Sequence, residues 1–505
     1  MPVWSFLPFL DIFIIISHSY TMRHATQLHG SYHWEKALRD VVGPEALLTD
    51  PEKLMVYECD AYTLEKKLPQ AVVLPSSANE AAQVIKICHE YQLPLIPRGA
   101  GTSLSGAVLA VDGGITICLS RMQKILEVDQ ENGRALVEAG CVNAWISREV
   151  ESLGLFYAPD PSSQFACTIG GNVATNSGGP HTLKYGVTTN HVLGFEMILS
   201  DGEKIWLGTP LDGGEDHEGL DLRGVAIGSE GMFGLVTEVL VKLTPKPECL
   251  QTFLGVFETV ESASRTVSDI IKAGIVPGAL EMMDQLITQA IEEAYHFGFP
   301  LDAGALLIIE LDGPEAGMEN QVAMIEAICR QNRAREIRRA QSEEERVQLW
   351  KCRKRAFGAI GRISPNYLTQ DGVVPRSKLP EIMNFIQACS KRVNLRIPNV
   401  FHAGDGNIHP LILFDEREPD QVKRAIQAGE DILEKCLELG GSVSGEHGIG
   451  VEKVDFMVKQ FTPSDLKAMI DVRAVFDPKQ RCNPHKMFPT SKRCIDFNVR
   501  KQAPA

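Results

Sequence analysis

From about residue 70 the chain alternates short apolar runs with longer segments of helical periodicity. Residues 71–74 are typical of a buried strand, and Ser77 and Glu80 have the spacing of a helix capping box. The segment that follows places apolar residues on one helical face, namely Ala81, Val84, Ile85 and Cys88. A second strand pattern resumes at residues 95–96. The pattern therefore predicts a β-α-β unit within an α/β or α+β chain.

The pattern changes along the chain in a way that predicts several units. Glycine-rich turns and strand-like runs continue to about residue 245, where Pro245 and Pro247 interrupt the chain. Helical periodicity then alternates with a strand at 305–311, and residues 341–355 form a charged helix pattern. We expect a tail at 1–35, a first domain at 36–245, a second at 246–470 and a C-terminal segment at 471–505.

Composition and charge narrow the class of protein. The chain has 505 residues, 44% of them hydrophobic and 23% charged, as ordinary globular proteins do. Its formal net charge of -15 disfavours binding to nucleic acid, because phosphate backbones would be repelled. Small-molecule chemistry is the better expectation.

Targeting signals are weak. The apolar run at residues 6–16 is too short to span a bilayer and is interrupted by Pro8 and Asp11, and neither Lys nor Arg precedes Arg23. We interpret this run as a tail, with a membrane anchor as the alternative. Twelve cysteines are scattered singly, which favours a reducing, cytoplasmic compartment and argues against an iron–sulfur cluster held by this chain.

The segment 99–106 is the first with a chemical character. Three glycines and three hydroxyl residues follow a strand, so successive backbone N–H groups can surround an anion. Leu104 stands where the dinucleotide fingerprint needs a third glycine, and Ala107 where a P-loop needs lysine. The alternative interpretation is a tight structural turn.

Two later stretches, 159–179 and 228–237, are also rich in glycine and small polar residues. With the first loop they resemble, in order, the FAD-binding domain of the vanillyl-alcohol oxidase (PCMH-type) flavoproteins across about residues 66–245. The resemblance implies an α+β fold: a PCMH-type FAD domain, an α+β substrate (cap) domain that carries the site described below, and a helical C-terminal segment returning to the FAD domain.

The resemblance also implies how FAD is bound. The pyrophosphate is expected at Gly99, Gly101, Thr102 and Ser103; the isoalloxazine side at Gly170, Gly171 and Ser177; and the adenine near Val236. The remaining cofactor-binding candidates are Arg98, Ala100, Gly106, Pro161, Asn172, Gly178, Gly231 and Asn483. The first loop has no histidine of the kind that tethers FAD in some members, so non-covalent FAD is expected. His181 is either a flavin neighbour or a surface histidine.

Histidines flank a hairpin signal in the second half. Asp405 and Gly406 separate two apolar runs, which is typical of a two-residue turn. That turn would pair His402 directly with His409, with their Cβ atoms about 4.5–5.5 Å apart and both rings within reach of one ion. A chance pair of half-exposed histidines is the alternative.

A carboxylate completes this candidate metal site. Glu446 and His447 are adjacent between glycines, and Glu446 with the histidine pair forms a His₂Glu set suited to a catalytic divalent ion. Zinc is the default, with iron or manganese open. His447 could instead be a capping or core histidine. A zinc hydrolase is the competing function.

Several further motifs distinguish a flavoenzyme from a zinc hydrolase. They are Trp350-x-x-Arg353, 364–367, 371–376, 402–409, 445–448 and Asn483-Pro484-x-Lys486. In this order they are similar to the flavoprotein (D) subunits of bacterial glycolate oxidases, within the FAD-binding oxidoreductase/transferase type 4 family, and more loosely to FAD-linked D-lactate and D-2-hydroxyglutarate dehydrogenases. The likeness spans about residues 40–490.

The resemblance implies that His402, His409 and Glu446 bind the ion, that His447 is the general base and that Arg353 pairs with the substrate carboxylate. Hydroxyglutarate enzymes carry a lysine where this chain has Thr369, which favours a small monocarboxylate. Arg376 could orient the substrate or lie at the surface.

The expected function is FAD-dependent oxidation of a small 2-hydroxy acid, glycolate or D-lactate, to glyoxylate or pyruvate. The resemblance implies a catalytic subunit that works with a second FAD-type subunit and an iron–sulfur subunit, in the cytoplasm or peripherally at the inner membrane through those partners. A stand-alone FAD-linked D-lactate dehydrogenase is the main alternative.

Overall fold

The computed structural model describes residues 33–211 and 219–489. The apolar run at 6–16 lies outside these residues. Within the described part of the chain, no helix is both long and apolar enough to cross a bilayer.

The predicted β-α-β unit is confirmed. Ala71–Val73 and Leu95–Arg98 both pair in parallel with Ile115–Cys118, and Leu47–Leu48 adds an antiparallel edge. The helix Ala78–Glu90 begins where expected, because the Ser77 side chain accepts a hydrogen bond from the Glu80 N–H. The Glu80 carboxylate accepts from the N–H and hydroxyl of Ser76. The four predicted face residues of this helix are buried.

A second, antiparallel sheet completes the N-terminal half. Its strands in spatial order are Ile125–Asp129, Arg134–Glu138, Leu235–Lys242, Val192–Ile198 and Lys204–Gly208, and Leu155–Phe156 pairs separately with Thr244–Pro245. Helices fill the connections: residues 33–42, Pro51–Leu54, Asn143–Val150, Ile169–Thr175, Thr182–Tyr185 and Leu222–Ala226, with 3₁₀ turns at Pro44–Ala46, Met55–Tyr57, Glu151–Leu153 and Thr188–His191.

The C-terminal half is built on an eight-stranded antiparallel sheet. Its strands in order are Glu336–Arg339, Cys249–Phe257, Ala305–Gly313, Ala279–Asp284, Asn399–His402, Asn407–Phe414 and Asn366–Thr369, and Gly372–Val373 also pairs with Asn407–Phe414. Strand Ala279–Asp284 is buried along its whole length, because Leu280 and Met282 face one apolar layer and Met283 the other.

Helices cover both faces of this sheet. One layer contains Val260–Lys272, Met318–Gln331, Leu379–Val393 and Pro419–Glu438; the other contains Gln285–Tyr295, Glu343–Lys354 and Ala356–Ile360. The predicted helix at 341–355 and strand at 305–311 are therefore confirmed. Shorter elements follow at Arg376–Lys378, Val454–Phe456 and Met457–Gln460, and then helix Pro463–Phe476.

The chain end packs against the N-terminal half. The Leu95 N–H donates to the Arg481 carbonyl at 3.0 Å, and the Asn483 N–H donates to the Leu95 carbonyl at 2.8 Å. The rings of Phe476 and Phe233 stack with centroids 4.6 Å apart. Segment 476–483, from the far end of the chain, therefore packs against the N-terminal half and hydrogen bonds to the edge of the first parallel sheet.

The two halves meet where the 99–106 loop contacts residues 447–452. The Ser105 carbonyl accepts the N–H groups of Val451 and Glu452, and its hydroxyl donates to the His447 carbonyl. Gly450 has a positive φ of 55°, and a Cβ there would lie 2.0 Å from the Ser105 carbonyl oxygen. This contact therefore depends on the absence of a side chain at position 450.

Gly450→Ala is predicted to destabilise the protein more than Gly440→Ala. Gly440 also has a positive φ, of 81°, but a Cβ there meets nothing within 4 Å. Gly440→Ala should lower the free energy of unfolding by about 1–2 kcal/mol from backbone strain alone, and Gly450→Ala by more than about 3 kcal/mol, since the Ser105 backbone must also move. Urea unfolding midpoints measure both changes; equal losses would contradict the importance of the contact.

Candidate active site

One cavity of about 680 Å³ lies between the two halves. Its N-terminal wall comes from the three glycine-rich stretches, and its opposite wall contains Lys354, Phe357, Tyr367, His409, Glu446 and His447. Cavities of this size accommodate organic cofactors. The site therefore combines a large cofactor space with titratable side chains at one end.

The 99–106 loop is shaped by close contacts. A Cβ at Gly99 would lie 2.3 Å from Thr168 Oγ1, and one at Gly101, where φ is 71°, would lie 2.2 Å from Arg98 Nη2. The Gly99 backbone therefore packs against Thr168 of the next glycine-rich stretch, and Gly101 lies beside the Arg98 guanidinium. A glycine-rich loop that lines a cavity can present backbone N–H groups to a phosphate.

The second stretch forms helix Ile169–Thr175, which also lines the cavity. Thr168 caps it by accepting the Gly171 N–H at 3.4 Å. A Cβ at Gly170 would lie 2.8 Å from Ala139 Cβ, so this helix packs directly on the antiparallel sheet. The Asn172 amide donates to Ser177 Oγ at 3.1 Å, which fixes the start of the loop after the helix.

The third stretch is tied to the C-terminal half by a buried carboxylate. Glu230 Oε1 accepts the Ile449 N–H at 2.6 Å and Oε2 accepts the Gly450 N–H at 2.8 Å. The Asn483 amide donates to the carbonyls of Ala107 and Glu230 at 2.8 and 2.6 Å. Asn483 therefore supports two wall segments from behind.

The hairpin is present, but its predicted register is wrong. His402 pairs with Asn407, and His409 pairs with Val400, because the turn spans residues 403–406 instead of Asp405 and Gly406 alone. The register differs from the prediction by two positions, and an even shift leaves both histidines on the same face. Their ring centroids are 5.0 Å apart.

These two histidines converge on Glu446. Glu446 Oε1 lies 3.3 Å from His402 Nε2 and 3.2 Å from His409 Nε2, yet neither Nε2 has a hydrogen-bond partner among the described residues. The three ligand atoms lie within 4.8 Å of one another. Buried nitrogens that face a carboxylate without hydrogen bonding fit a divalent cation. Burial raises the pKa of Glu446, but the charge of His402 and the close approach of the three histidine rings hold it well below its usual range.

A buried glutamate lies behind the hairpin. Glu281 Oε1 is 2.7 Å from His402 Nδ1, and Glu281 Oε2 accepts a 2.7 Å hydrogen bond from Arg353 Nε. Burial lowers the pKa of His402, but Glu281 and Glu446 raise it to a net value of about 10. Arg353 is itself 2% exposed, and its Nη2 has no partner among the described residues. Glu281 thus orients His402 and fixes Arg353.

The loop that carries Glu446 and His447 is organised by Asp371. This fully buried carboxylate accepts the N–H groups of Gly445, Glu446 and His447, and it accepts hydrogen bonds from Ser444 Oγ, Asn407 Nδ2 and Lys453 Nζ. Burial raises its pKa, but the positive groups at His447 and Lys453 hold it well below the usual range. The loop therefore has a fixed conformation that depends on one anion.

Family models match both halves of the chain. The model described as "FAD binding domain" matches residues 69–208, and "FAD linked oxidases, C-terminal domain" matches residues 246–487. The chain belongs to the FAD-linked oxidases. Its first half is accordingly an FAD-binding domain.

Curated relatives of this FAD-linked oxidase cover most of its length. It is 46% identical to "Glycolate oxidase subunit GlcD" of Escherichia coli (strain K12) over 92% of each chain. The subunit of the same name from Bacillus subtilis (strain 168) is 40% identical over 91% of this chain and 97% of its own. A "D-lactate dehydrogenase" of Anaerostipes hadrus is 31% identical over 84% and 90%. The predicted kinship with glycolate oxidase flavoprotein subunits is confirmed.

Solved structures confirm the predicted fold class. The p-cresol methylhydroxylase structure superposes with a TM-score of 0.78 at 16% identity, covering 91% of this chain and 97% of that one. An alkyldihydroxyacetonephosphate synthase superposes with a TM-score of 0.70 at 19% identity, over 90% and 84%. The PCMH-type flavin domain joined to an α+β domain is therefore the observed architecture.

Most of the candidate residues of this FAD-linked oxidase lie together. Those lining the cavity are Arg98, Gly99, Ala100, Gly101, Thr102, Ser103, Pro161, Gly170, Gly171, Asn172, Ser177, Gly231, Val236, His409, Glu446 and His447. The others lie outside the wall: Gly106 packs on Val451, Gly178 approaches Glu446 Oε2, and His402 and Arg353 lie behind with Glu281.

The contacts also place Arg376, His181 and Thr369. Arg376 is half-buried, does not line the cavity and donates to the Gly404 carbonyl at 2.9 Å. His181 does not line the cavity; its half-buried ring bridges Asp160 and Glu310 and stacks on Trp350. Burial lowers its pKa, and those two carboxylates raise it to a net value of about 10. Thr369 is buried and lies outside the cavity wall, on the same strand face as Tyr367, which lines the cavity.

Sequence reasoning missed the roles of Glu281, Asp371 and Glu230. Glu281 is separated by 72 residues from Arg353 and by 121 from His402. No local spacing could reveal such a pair. An acidic residue inside the apolar strand Ala279–Asp284 was the available signal, because buried carboxylates need partners.

Asp371→Asn is predicted to lower the free energy of unfolding by about 3 kcal/mol. The uncharged amide would leave the Lys453 ammonium without its buried partner. Its NH₂ group would also face backbone N–H groups, which can only donate. Adding Lys453→Gln should recover part of the loss, since no unpaired buried charge remains. The exposed Asp471→Asn serves as control, with a change within about 0.5 kcal/mol. Thermal and urea unfolding measure all four proteins; no difference between Asp371→Asn and the control would contradict the role of the carboxylate.

Proposed function

We propose that the chain oxidises a small 2-hydroxy acid, glycolate or D-lactate, to the 2-oxo acid with non-covalent FAD as electron acceptor. One observation carries this proposal: His409, Glu446 and His447 line the same cavity as the glycine-rich FAD loops. The names of its relatives, glycolate oxidase subunits and D-lactate dehydrogenases, point to the same substrates.

The cofactor would be held by the cavity wall without a covalent bond. The backbone at Gly99–Ser103 would receive the pyrophosphate, and residues 170–177 would lie along the isoalloxazine ring. Segment 99–106 contains no histidine or cysteine that could attach to the ring. Bound FAD supplies the acceptor for the α-hydrogen of the substrate and its electron pair.

A divalent cation, zinc by default, would be held by His402, His409 and Glu446. The Nε2 atoms, which have no hydrogen-bond partner among the described residues, and the buried carboxylate are borderline N/O ligands. Such ligands suit a divalent ion of this kind. The ion supplies Lewis acidity that makes a substrate hydroxyl easier to deprotonate. Glu281 would keep His402 turned so that Nε2 remains available.

The side chains of this protein then perform the remaining tasks. His447 lines the cavity with Nδ1 unpartnered among the described residues, so its ring has a nitrogen available to accept the hydroxyl proton. Arg353, which lies behind the cavity wall, is proposed to anchor the substrate carboxylate through its unpartnered Nη2. Phe357 and Tyr367 would exclude water from this end of the cavity.

The physiological setting is also a proposal. Two of the relatives are named as subunits, which supports membership of a complex. We propose that the other members are a second FAD-type subunit and an iron–sulfur subunit. We place this complex in the cytoplasm, peripherally at the inner membrane through the partners. The D-lactate dehydrogenase relative supports a stand-alone enzyme as the second candidate. A zinc hydrolase has no use for an FAD-binding domain.

Anaerobic mixing of the purified yellow protein with glycolate, D-lactate, L-lactate and D-2-hydroxyglutarate tests the activity. We expect glycolate or D-lactate to bleach the flavin absorbance, and metal analysis to find about one divalent ion per chain. Bleaching by D-2-hydroxyglutarate alone would contradict the monocarboxylate assignment. A flavin that none of the four acids reduces would overturn the proposed function.

Glu446→Gln is predicted to abolish turnover, by more than about 1,000-fold, while FAD remains bound. The amide removes the only anionic ligand of the proposed ion but leaves the FAD loops intact. Activity, flavin absorbance and metal content are measured together. Glu438→Gln, on the exposed end of helix Pro419–Glu438, is the control and should behave like the parent. A fully active Glu446→Gln protein would exclude the metal role.

A further inference from the structure

Lys354 occupies an unusual place at the cavity. It is the last residue of helix Glu343–Lys354, it is exposed, and it lines the cavity with Phe357, Tyr367 and the His–Glu group. Its ammonium lies 5.8 Å from the ring centroid of Phe165, which is 74% exposed. Because Phe165 comes from the FAD-binding half and Lys354 from the other, the contact joins the two halves at the edge of the cavity.

The charge of Lys354 is uncompensated. Among the residues that the structure describes, no carboxylate lies within 4 Å of its ammonium. The neighbouring Arg353 differs, because the buried Glu281 carboxylate neutralises it at 2.7 Å. On the C-terminal wall of the cavity, Lys354 is therefore the cation whose field remains available to an entering molecule.

An anionic substrate needs such a field. The whole chain carries a formal net charge of -15, so a carboxylate in solution meets an overall repulsive surface. Charges act over about 8–10 Å at physiological salt, so a local cation at the entrance determines whether an anion enters. A cation beside a low-dielectric cavity raises the rate at which anions encounter it. This effect weakens as salt is added.

We propose that Lys354 is a specificity-determining residue that draws the carboxylate of a small 2-hydroxy acid into the cavity. This inference rests on the proposed function and adds the source of anion selectivity. Lys354 acts on encounter and binding, whereas Arg353 is the proposed anchor in the bound state. The Phe165 ring holds the ammonium over the entrance through a cation–π contact until the anion arrives.

The test compares Lys354→Gln with Lys351→Gln. Lys351 lies three residues earlier, also in the last turn of the helix, so it shares the favourable position of a cation near the helix C-terminus. Unlike Lys354, it does not line the cavity. We expect Lys354→Gln to lower kcat/KM for the preferred 2-hydroxy acid about tenfold with kcat nearly unchanged, and to weaken its dependence on ionic strength. Lys351→Gln should match the parent, and Lys354→Arg should retain most of the activity.

Two further readouts separate this inference from the proposed function. Oxalate, an unreactive dianion, is titrated while the flavin absorbance is followed, and Lys354→Gln should bind it about tenfold more weakly. The affinity for glycolamide, which is neutral, should be the same in Lys354→Gln as in the parent. If the parent oxidises a 2-hydroxy acid but Lys354→Gln keeps the same kcat/KM, salt dependence and oxalate affinity, the inference is overturned and the function stands. If no acid is oxidised, the function fails, and oxalate binding alone decides whether Lys354 selects anions.

Discussion

The contact between Ser105 and segment 447–452 is the constraint on which the site depends. One residue of the FAD-binding half accepts two backbone N–H groups and donates its hydroxyl to the His447 carbonyl. These three hydrogen bonds fix the distance between the loop that would hold the pyrophosphate and the loop that carries Glu446 and His447. Each half supplies only part of the chemistry, so their relative position decides whether the cavity is an active site.

Buried carboxylates set the rest of the geometry, and each does so differently. Glu230 accepts backbone N–H groups across the boundary between the halves, Asp371 orders a loop within one half, and Glu281 joins a histidine to an arginine. A buried anion is costly unless it is fully paired. That cost makes each of the three specific for one arrangement of its partners, which is what a site assembled from distant segments requires.

Local features were predictable from the sequence, and long-range pairings were not. The Ser77 cap, helix 78–90 and the hairpin near Asp405 follow from side-chain chemistry within a few residues. The hairpin register was wrong because Asp-Gly favours a two-residue turn, whereas the loop here uses four residues, 403–406. The prediction that both histidines lie on one face was nevertheless correct, because side chains in a strand alternate with a period of two. Arg353 was singled out only by resemblance, and its partner Glu281 lies 72 residues away, marked only by its place inside an apolar strand.

The loop held by Asp371 has a consequence for how the protein matures. Its backbone is fixed by hydrogen bonds to a side chain of the same polypeptide, so its shape does not wait for an ion to arrive. A loop that is already formed would let the proposed cation exchange without refolding. The identity of that cation would then depend on the ligand set and on which ions are available.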